Sequence, residues 1–209
     1  MKTKKSFALR VAAAAFGVAV LTAAGTAIAS ADDELGDEGV DVNVDISPIV
    51  EPGVLALSVA DDSTTLTEDG STDVVRQFTG TLPLVTVTDT RTGDEIPDGA
   101  FWAVVGSASA FLNQTAPDAA PIGADHLGWE PALVQGEGEA FISVGDDVQT
   151  VLDGDRGLVN QELLFLADSA ADAAAAGGTW SANANLFLRV PATVTPGSYT
   201  SVLTLSLFE

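Results

Sequence analysis

The chain of 209 residues has no cysteine, one histidine, one methionine and one tyrosine, and it sets eight basic residues against thirty acidic ones. Each scarcity excludes a class of chemistry. Without cysteine there is no disulfide framework, no thiolate nucleophile and no lipid-modified cysteine at the N-terminus. One histidine and no thiolate leave zinc without its usual ligand sets. No lysine follows Lys5, so a Schiff-base lysine is absent from everything downstream. Four of the basic residues, Lys2, Lys4, Lys5 and Arg10, fall in the first 31 positions, where there is no acid. Beyond them stand four arginines, Arg76, Arg91, Arg156 and Arg189, against thirty carboxylates, a balance of −26. A surface of that sign repels nucleic acid and anionic lipid and keeps a chain soluble, so neither is expected as a partner.

What is present begins with an address. Lys2, Lys4 and Lys5 precede an apolar run from Phe7 to Ile28 that ends in Ala29-Ser30-Ala31. A basic start, an apolar middle and small residues two apart before a polar stretch are the parts of a secretory signal peptide. Arg10 interrupts the run, its alanines make it only mildly apolar, and Asp32, Asp33 and Glu34 follow at once, which favours cleavage over an uncleaved anchor. The mature chain is expected to start near Asp32, to be secreted and extracellular or cell-wall associated, and to have no membrane span after cleavage. Any retention at the surface is expected to be non-covalent.

The organisation expected is a signal peptide over 1–31, an acidic lead-in over 32–39 and a single domain over 40–209. About 178 residues suffice for one core, and with no disulfide that core must come from packing. The dominant pattern has period two. From Thr179 to Val190 one face carries Trp180, Ala182, Ala184, Leu186, Leu188 and Val190, and the other carries Thr179, Ser181, Asn183, Asn185, Phe187 and Arg189. After Pro191 and the turn Pro196-Gly197 the chain alternates again through Tyr199, Leu203, Leu205 and Leu207, so the two segments are expected to pair as an antiparallel hairpin. Further strands are expected over Val40–Ile46, Val54–Val59, Thr81–Thr88, Phe101–Val105, Ala140–Val144, Val148–Leu152 and Glu162–Leu166, with turn signals between nearly all of them. Only Asp168–Ala176, rich in alanine and ending at Gly177-Gly178, reads as a short helix, and Asn113–Asp125 reads as a long surface loop. The fold class is all-β, an antiparallel β-sandwich of Ig-like or jelly-roll-like type with at most one short helix.

The inventory for catalysis is thin. A serine triad would have to use His126, and Asp125 is too close in sequence to orient it in the usual way. No G-x-S-x-G elbow accompanies it, and a loop histidine bonded to backbone is the simpler reading. Paired carboxylates could hydrolyse a glycosidic bond, but thirty acids make chance pairs inevitable. The aromatic platforms such enzymes need are few: Trp102, Trp129, Trp180 and Tyr199. Calcium is the better use of carboxylates, since it takes oxygen ligands from loops. Asp153-Gly154-Asp155 opens like an EF-hand loop, yet Gly157 and Leu164 stand where ligands belong. The remaining cation candidate is Asp146 and Asp147 converging with Asp153 and Asp155 from adjacent turns. Asp41, Asn43 and Asp45 share a strand face and read most simply as solvated.

The C-terminal stretch Pro191-Ala192-Thr193-Val194-Thr195-Pro196-Gly197-Ser198-Tyr199, followed by Thr200 to Leu207, resembles the closing hairpin of bacterial surface β-sandwiches, in particular WxL-type cell-surface proteins. In that family a proline-bounded turn and Gly-x-Tyr lead into a terminal strand carrying Trp-x-Leu. Here Leu205 stands in the tryptophan's place, and Trp102-Ala103-Val104 has valine where the family has leucine. The chain is also similar to secreted actinobacterial proteins that contain Gly-Ala-Asp-His-Leu-Gly-Trp and end in Leu-Thr-Leu-Ser-Leu-Phe-Glu. The resemblance implies non-covalent association with peptidoglycan and surface complexes, so a cell-wall glycan or a surface protein is the partner it suggests. The same Gly-x-Tyr pattern occurs in fimbrial and spore-coat-like sandwiches, where its role is structural.

The sequence therefore points to an exported, non-catalytic surface or envelope-associated β-sandwich with a binding or structural role and no cofactor other than calcium. Its rivals are a carboxylate-dependent secreted glycan hydrolase and a pilus-like structural subunit. The hydrolase would show two acids ~5 to 9.5 Å apart in a cleft with exposed aromatics. A binding sandwich would show an exposed apolar patch or edge. The pilus-like subunit would show an open groove that accepts a strand from a neighbour.

Overall fold

The computed structural model describes residues 51–135 and 139–209. The expected signal segment, the acidic lead-in and the strand over Val40–Ile46 lie outside the described residues. Within them the chain is all-β, built from curled antiparallel sheets with one short α-helix, as the alternation predicts. No helix among the described residues is long and apolar enough to cross a membrane.

The first sheet is organised by β10 (Thr179–Pro191). Its inward face of Trp180, Ala182, Ala184, Leu186, Leu188 and Val190 is buried throughout. One edge of β10 carries β7 (Leu127–Gln135), paired from Leu188↔Leu127 to Ser181↔Gln135. The other edge carries β4 (Val85–Asp89) against Thr179 to Ala182 and β3 (Val75–Thr81) against Asn185 to Pro191. β3 and β4 are thus one path along β10, broken at Leu82-Pro83-Leu84, where proline has no N–H to donate. The Leu82 amide still reaches the Ala184 carbonyl at 2.8 Å. Outside them run β1 (Leu55–Val59), paired with β4, and the short β2 (Thr67–Glu68), paired with β3. The residues between β1 and β2 leave the sheet.

The second sheet has the order β12-β5-β9-β8, from β5 (Trp102–Ala108), β8 (Ile142–Val144), β9 (Glu162–Ala167) and β12 (Leu203–Phe208). Beyond β5 and β12 the same two chain segments pair again as β6 (Leu112–Asn113) with β11 (Tyr199–Thr200). Trp102, Val104, Leu164 and Phe165 from this sheet meet Val85, Val87, Trp129 and Trp180 from the first in one core. Trp102 stands edge-on to Phe165 with ring centroids 5.4 Å apart, a favourable quadrupole arrangement. Gly106 on β5 admits the Trp129 ring, since a Cβ there would lie 2.8 Å from it. All three tryptophans are buried.

The helix α1 (Ala170–Ala175) is capped at its start by Ser169, whose hydroxyl accepts from the Asp172 amide at 3.2 Å. It ends in a Schellman arrangement: Gly178 N–H donates to Ala173 and Gly177 N–H to Ala174. Gly178 has φ +65°, and a Cβ there would collide with the Asp89 carbonyl.

Three expectations need correction. The segments Thr179–Val190 and Tyr199–Leu207 do not pair with each other: β10 lies in the first sheet and β12 pairs with β5 in the second. The connection crosses between layers, with Tyr199 Oη donating to the Thr195 carbonyl at 2.8 Å across the turn. Val148–Leu152 is not a strand, because Thr150 and Asp153 form a capping box that curls Val151–Asp153 into a 3₁₀ turn. Two long strands, β3 and β7, and the two-residue β2 and β6 were not expected. Gly80 falls inside β3, and Gly128 and Pro131 fall inside β7, and these residues disguise the alternation.

Candidate functional site

Four places could carry chemistry or binding: the lone histidine, the acidic turns, a polar hollow, and an apolar groove. His126 Nδ1 stands 2.6 Å from the Arg189 carbonyl oxygen. With the ring nitrogen donating, its bond to backbone is the arrangement the sequence suggests, though the partner is 63 positions away rather than local.

The structure spreads the four aspartates of the expected cation site over two turns and assigns partners to two of them. Asp153 accepts from the Thr150 hydroxyl at 2.6 Å and pairs with Arg189. Burial alone would raise its pKa, but the Thr150 hydroxyl and the Arg189 charge outweigh burial and hold it below the usual carboxylate range. Asp155 accepts from the Gln149 amide at 3.3 Å and from the Arg156 amide at 2.8 Å. Asp146 and Asp147 are exposed on the turn after β8. Among the described residues no three acidic or imidazole groups gather as a metal cage would require.

The polar hollow, of about 400 Å³, lies on the outer face of the first sheet. Asp69, Gln77, Glu130, Asn185 and Arg189 line it. Arg189 donates to Gln77 at 2.6 Å and stacks over Phe187, its guanidinium carbon 5.5 Å from the ring centre. No tryptophan or tyrosine lines this hollow.

The apolar groove is larger, about 1010 Å³, and lies between the two sheets. Its floor is the inward face of β10, at Leu186, Leu188 and Val190. One wall comes from Leu57, Leu66 and Phe78 and the other from Tyr199, Leu203 and Leu205, with Phe111, Ile122 and Leu127 at the back. Its rim is polar, with Asp61, Asp62, Thr64 and Thr65 on one side and Thr195, Ser198 and Ser201 on the other. Val59, 41% exposed, and Val202, 64% exposed, stand at its lip. Arg76 also lines it but is bound in both directions to Glu68, at 2.9 and 2.7 Å.

Two sheet edges flank this groove. Among the described residues β1 pairs only with β4, and β12 only with β5. Ser109 N–H donates to the Val202 carbonyl. By the alternation of an antiparallel ladder, the N–H groups of Leu203, Leu205 and Leu207 therefore point away from β5, toward the groove side. A row of such donors beside apolar side chains is a template for another strand.

At one end of the groove an arginine ties the two sheets together. There Arg91 donates Nε and Nη2 to Asp89 at 2.8 and 2.7 Å and Nη1 to Glu209 at 2.6 Å, joining the last residue of β4 to the residue after β12. The hydrogen bonds to Asp89 lead the effects that raise the Arg91 pKa above its usual range, with Glu209 adding to them against the cost of burial. Gly53 packs on the Arg91 backbone so closely that a Cβ would overlap it, and its N–H donates to Glu95 at 3.1 Å. The chain therefore joins β1 at this clipped end. At the other end, where the chain leaves β1 at Asp61 and enters β11 at Tyr199, the groove is open.

Sequence reasoning named the hairpin residues that form one wall but missed the groove itself. The period-two signal shows that Leu203 and Leu205 face a core, and says nothing of whether that core is closed. Fold and site together define an all-β sandwich with an open inter-sheet groove. No family model matches the chain, and no curated protein matches it.

Proposed function

We propose that this chain is an exported, non-catalytic β-sandwich of the cell surface or envelope whose working site is the apolar groove, where it docks an extended polypeptide segment. The observation that carries this reading is the coincidence of an open apolar groove with two sheet edges that have no partner among the described residues. An extended segment laid there would take main-chain hydrogen bonds from an edge and bury alternate side chains against the floor, as in strand addition. A small soluble molecule would use the apolar walls but leave the edge donors unpaired. The signal-like N-terminus supports export, the WxL-like C-terminal segment supports association with the envelope, and the buried tryptophans and a hollow whose one aromatic, Phe187, is covered by Arg189 weigh against glycan hydrolysis.

Fractionating producing cells into medium, wall and membrane, then extracting the wall with chelator and with high salt, tests the location. The chain is expected in the wall fraction. Release by chelator would assign the bridging to calcium at Asp146, Asp147, Asp153 and Asp155, and retention through both treatments would assign it to glycan or protein docking. Recovery wholly in the medium would contradict envelope association.

A further inference from the structure

We propose that the groove's occupant is the Val40–Ile46 segment of a second copy of this chain, inserted at the open end between β1 and β12 so that copies join head to tail. The inference rests on the docking reading above and names its partner. Val40, Val42, Val44 and Ile46 alternate with Asp41, Asn43 and Asp45. As a strand the segment would present four aliphatic side chains on one face and polar groups on the other. Seven residues at ~3.3 Å each extend about 23 Å, close to the about 20 Å of the six-residue β12 edge. The buried face would meet Leu57, Leu188, Leu203 and Leu205, and the polar face would remain in water.

The clip decides which copy supplies the segment. A strand set between β1 and β12 needs them roughly 9 to 10 Å apart, and at one end Arg91, bonded to both Asp89 and Glu209, ties the two sheets together. Insertion must therefore come from the open end. The chain's own segment is attached at the clipped end, through residues 47–50, which reach about 14 Å at most. In a head-to-tail arrangement those four residues would link the clipped end of one copy to the open end of the next. The inserted segment then has Ile46 at the mouth and Val40 deepest, which makes it antiparallel to β12. Donor and acceptor are different surfaces of the same chain, a heterologous contact that extends rather than closes. Asp41 and Asp45 share their sign with Asp61 and Asp62 on the rim, so assembly should strengthen as salt screens the repulsion.

The test uses the chain beginning at Asp32 in sedimentation velocity across protein concentration. Species heavier than the monomer, growing with concentration and with salt, are expected. Val42→Asp/Val44→Asp, which alters the donor segment alone, should sediment as a monomer. A second variant, Leu203→Glu, blocks the acceptor, and mixing it with the donor variant should give a dimer and nothing larger. A synthetic peptide of residues 39–48 should bind the donor variant and dissolve the wild-type assemblies, which keeps the test valid should Leu203→Glu fail to fold. Assemblies that persist in Val42→Asp/Val44→Asp would overturn the proposal. A wild-type chain that stays monomeric while its donor variant binds the peptide would overturn the second-copy proposal and leave the docking reading standing. A monomeric chain and an unbound peptide would overturn both.

Discussion

Replacing Arg91 by methionine removes the charge that joins the two sheets at the end where the groove is blind. The Asp89 side chain is fully buried and that of Arg91 only 10% exposed. The substitution leaves the Asp89 carboxylate in the interior with a single remaining bond, from the Arg91 backbone N–H at 3.1 Å, which methionine retains. Stranding one partner of a buried ion pair costs about 3–5 kcal/mol. Glu209 makes the other contact of Arg91 but is 35% exposed, so Glu209→Gln should cost about 0–1 kcal/mol. In urea, with m of roughly 2 kcal/mol/M for a domain of this size, the arginine variant should unfold about 1.5–2.5 M earlier than wild type. The glutamine variant should move by less than about 0.5 M. Adding Asp89→Asn to Arg91→Met should recover part of the loss, because the stranded charge is gone. Equal effects of Arg91→Met and Glu209→Gln, or a loss below about 1 kcal/mol for the former, would refute the clip as a buried electrostatic joint.

Three further outcomes follow from local structure. Trp180 donates its indole N–H to the Ala173 carbonyl at 3.1 Å, and that carbonyl also accepts from Gly178 N–H, so Trp180→Phe removes one of its two bonds and should cost about 0.5–1.5 kcal/mol for the lost bond by chemical denaturation. Gly178→Ala combines a left-handed backbone with a collision against Asp89, and should lower the thermal midpoint and loosen the turn between α1 and β10. Glu68 is held at about 2, first by its hydrogen bonds from Arg76 and then by that from Ser71. A carboxylate whose folded pKa is depressed contributes stability above its ordinary value near 4.5, and that contribution fades as pH falls from there toward 2. Carboxyl chemical shifts followed by NMR should place Glu68 near 2 in the wild type and return it toward its ordinary value in Arg76→Gln.

The sequence disclosed most where one physical signal acted alone. β10 alternates without interruption, and its inward face is the set of residues named from the pattern. β1, β5 and β9 were legible less sharply, as short apolar or β-branched runs set off by turn signals. The signal failed where a residue served two demands. Pro131 sits in β7 because that strand borders only β10 over this stretch, so its missing N–H costs no ladder bond, yet in sequence it reads as a break. Pro83 does break a path, but β3 and β4 continue along β10 on either side. Pairing was less legible than strand existence: Pro191 and Pro196 suggested a hairpin, whereas the turn between them carries the chain from one sheet to the other. The clip and the groove were invisible because Asp89, Arg91 and Glu209 meet only through the fold, and because an apolar face in a sequence does not say what covers it.

The central claim is that an extended strand fills the groove along β12. Amide hydrogen exchange at Leu203, Leu205 and Leu207 in the chain beginning at Asp32 tests it most directly, since these N–H groups point away from β5. Protection comparable to that of Thr204 and Ser206, whose amides face the ladder, is expected, with its loss in Val42→Asp/Val44→Asp. Exchange at the rate of an open edge in the unaltered chain would contradict it.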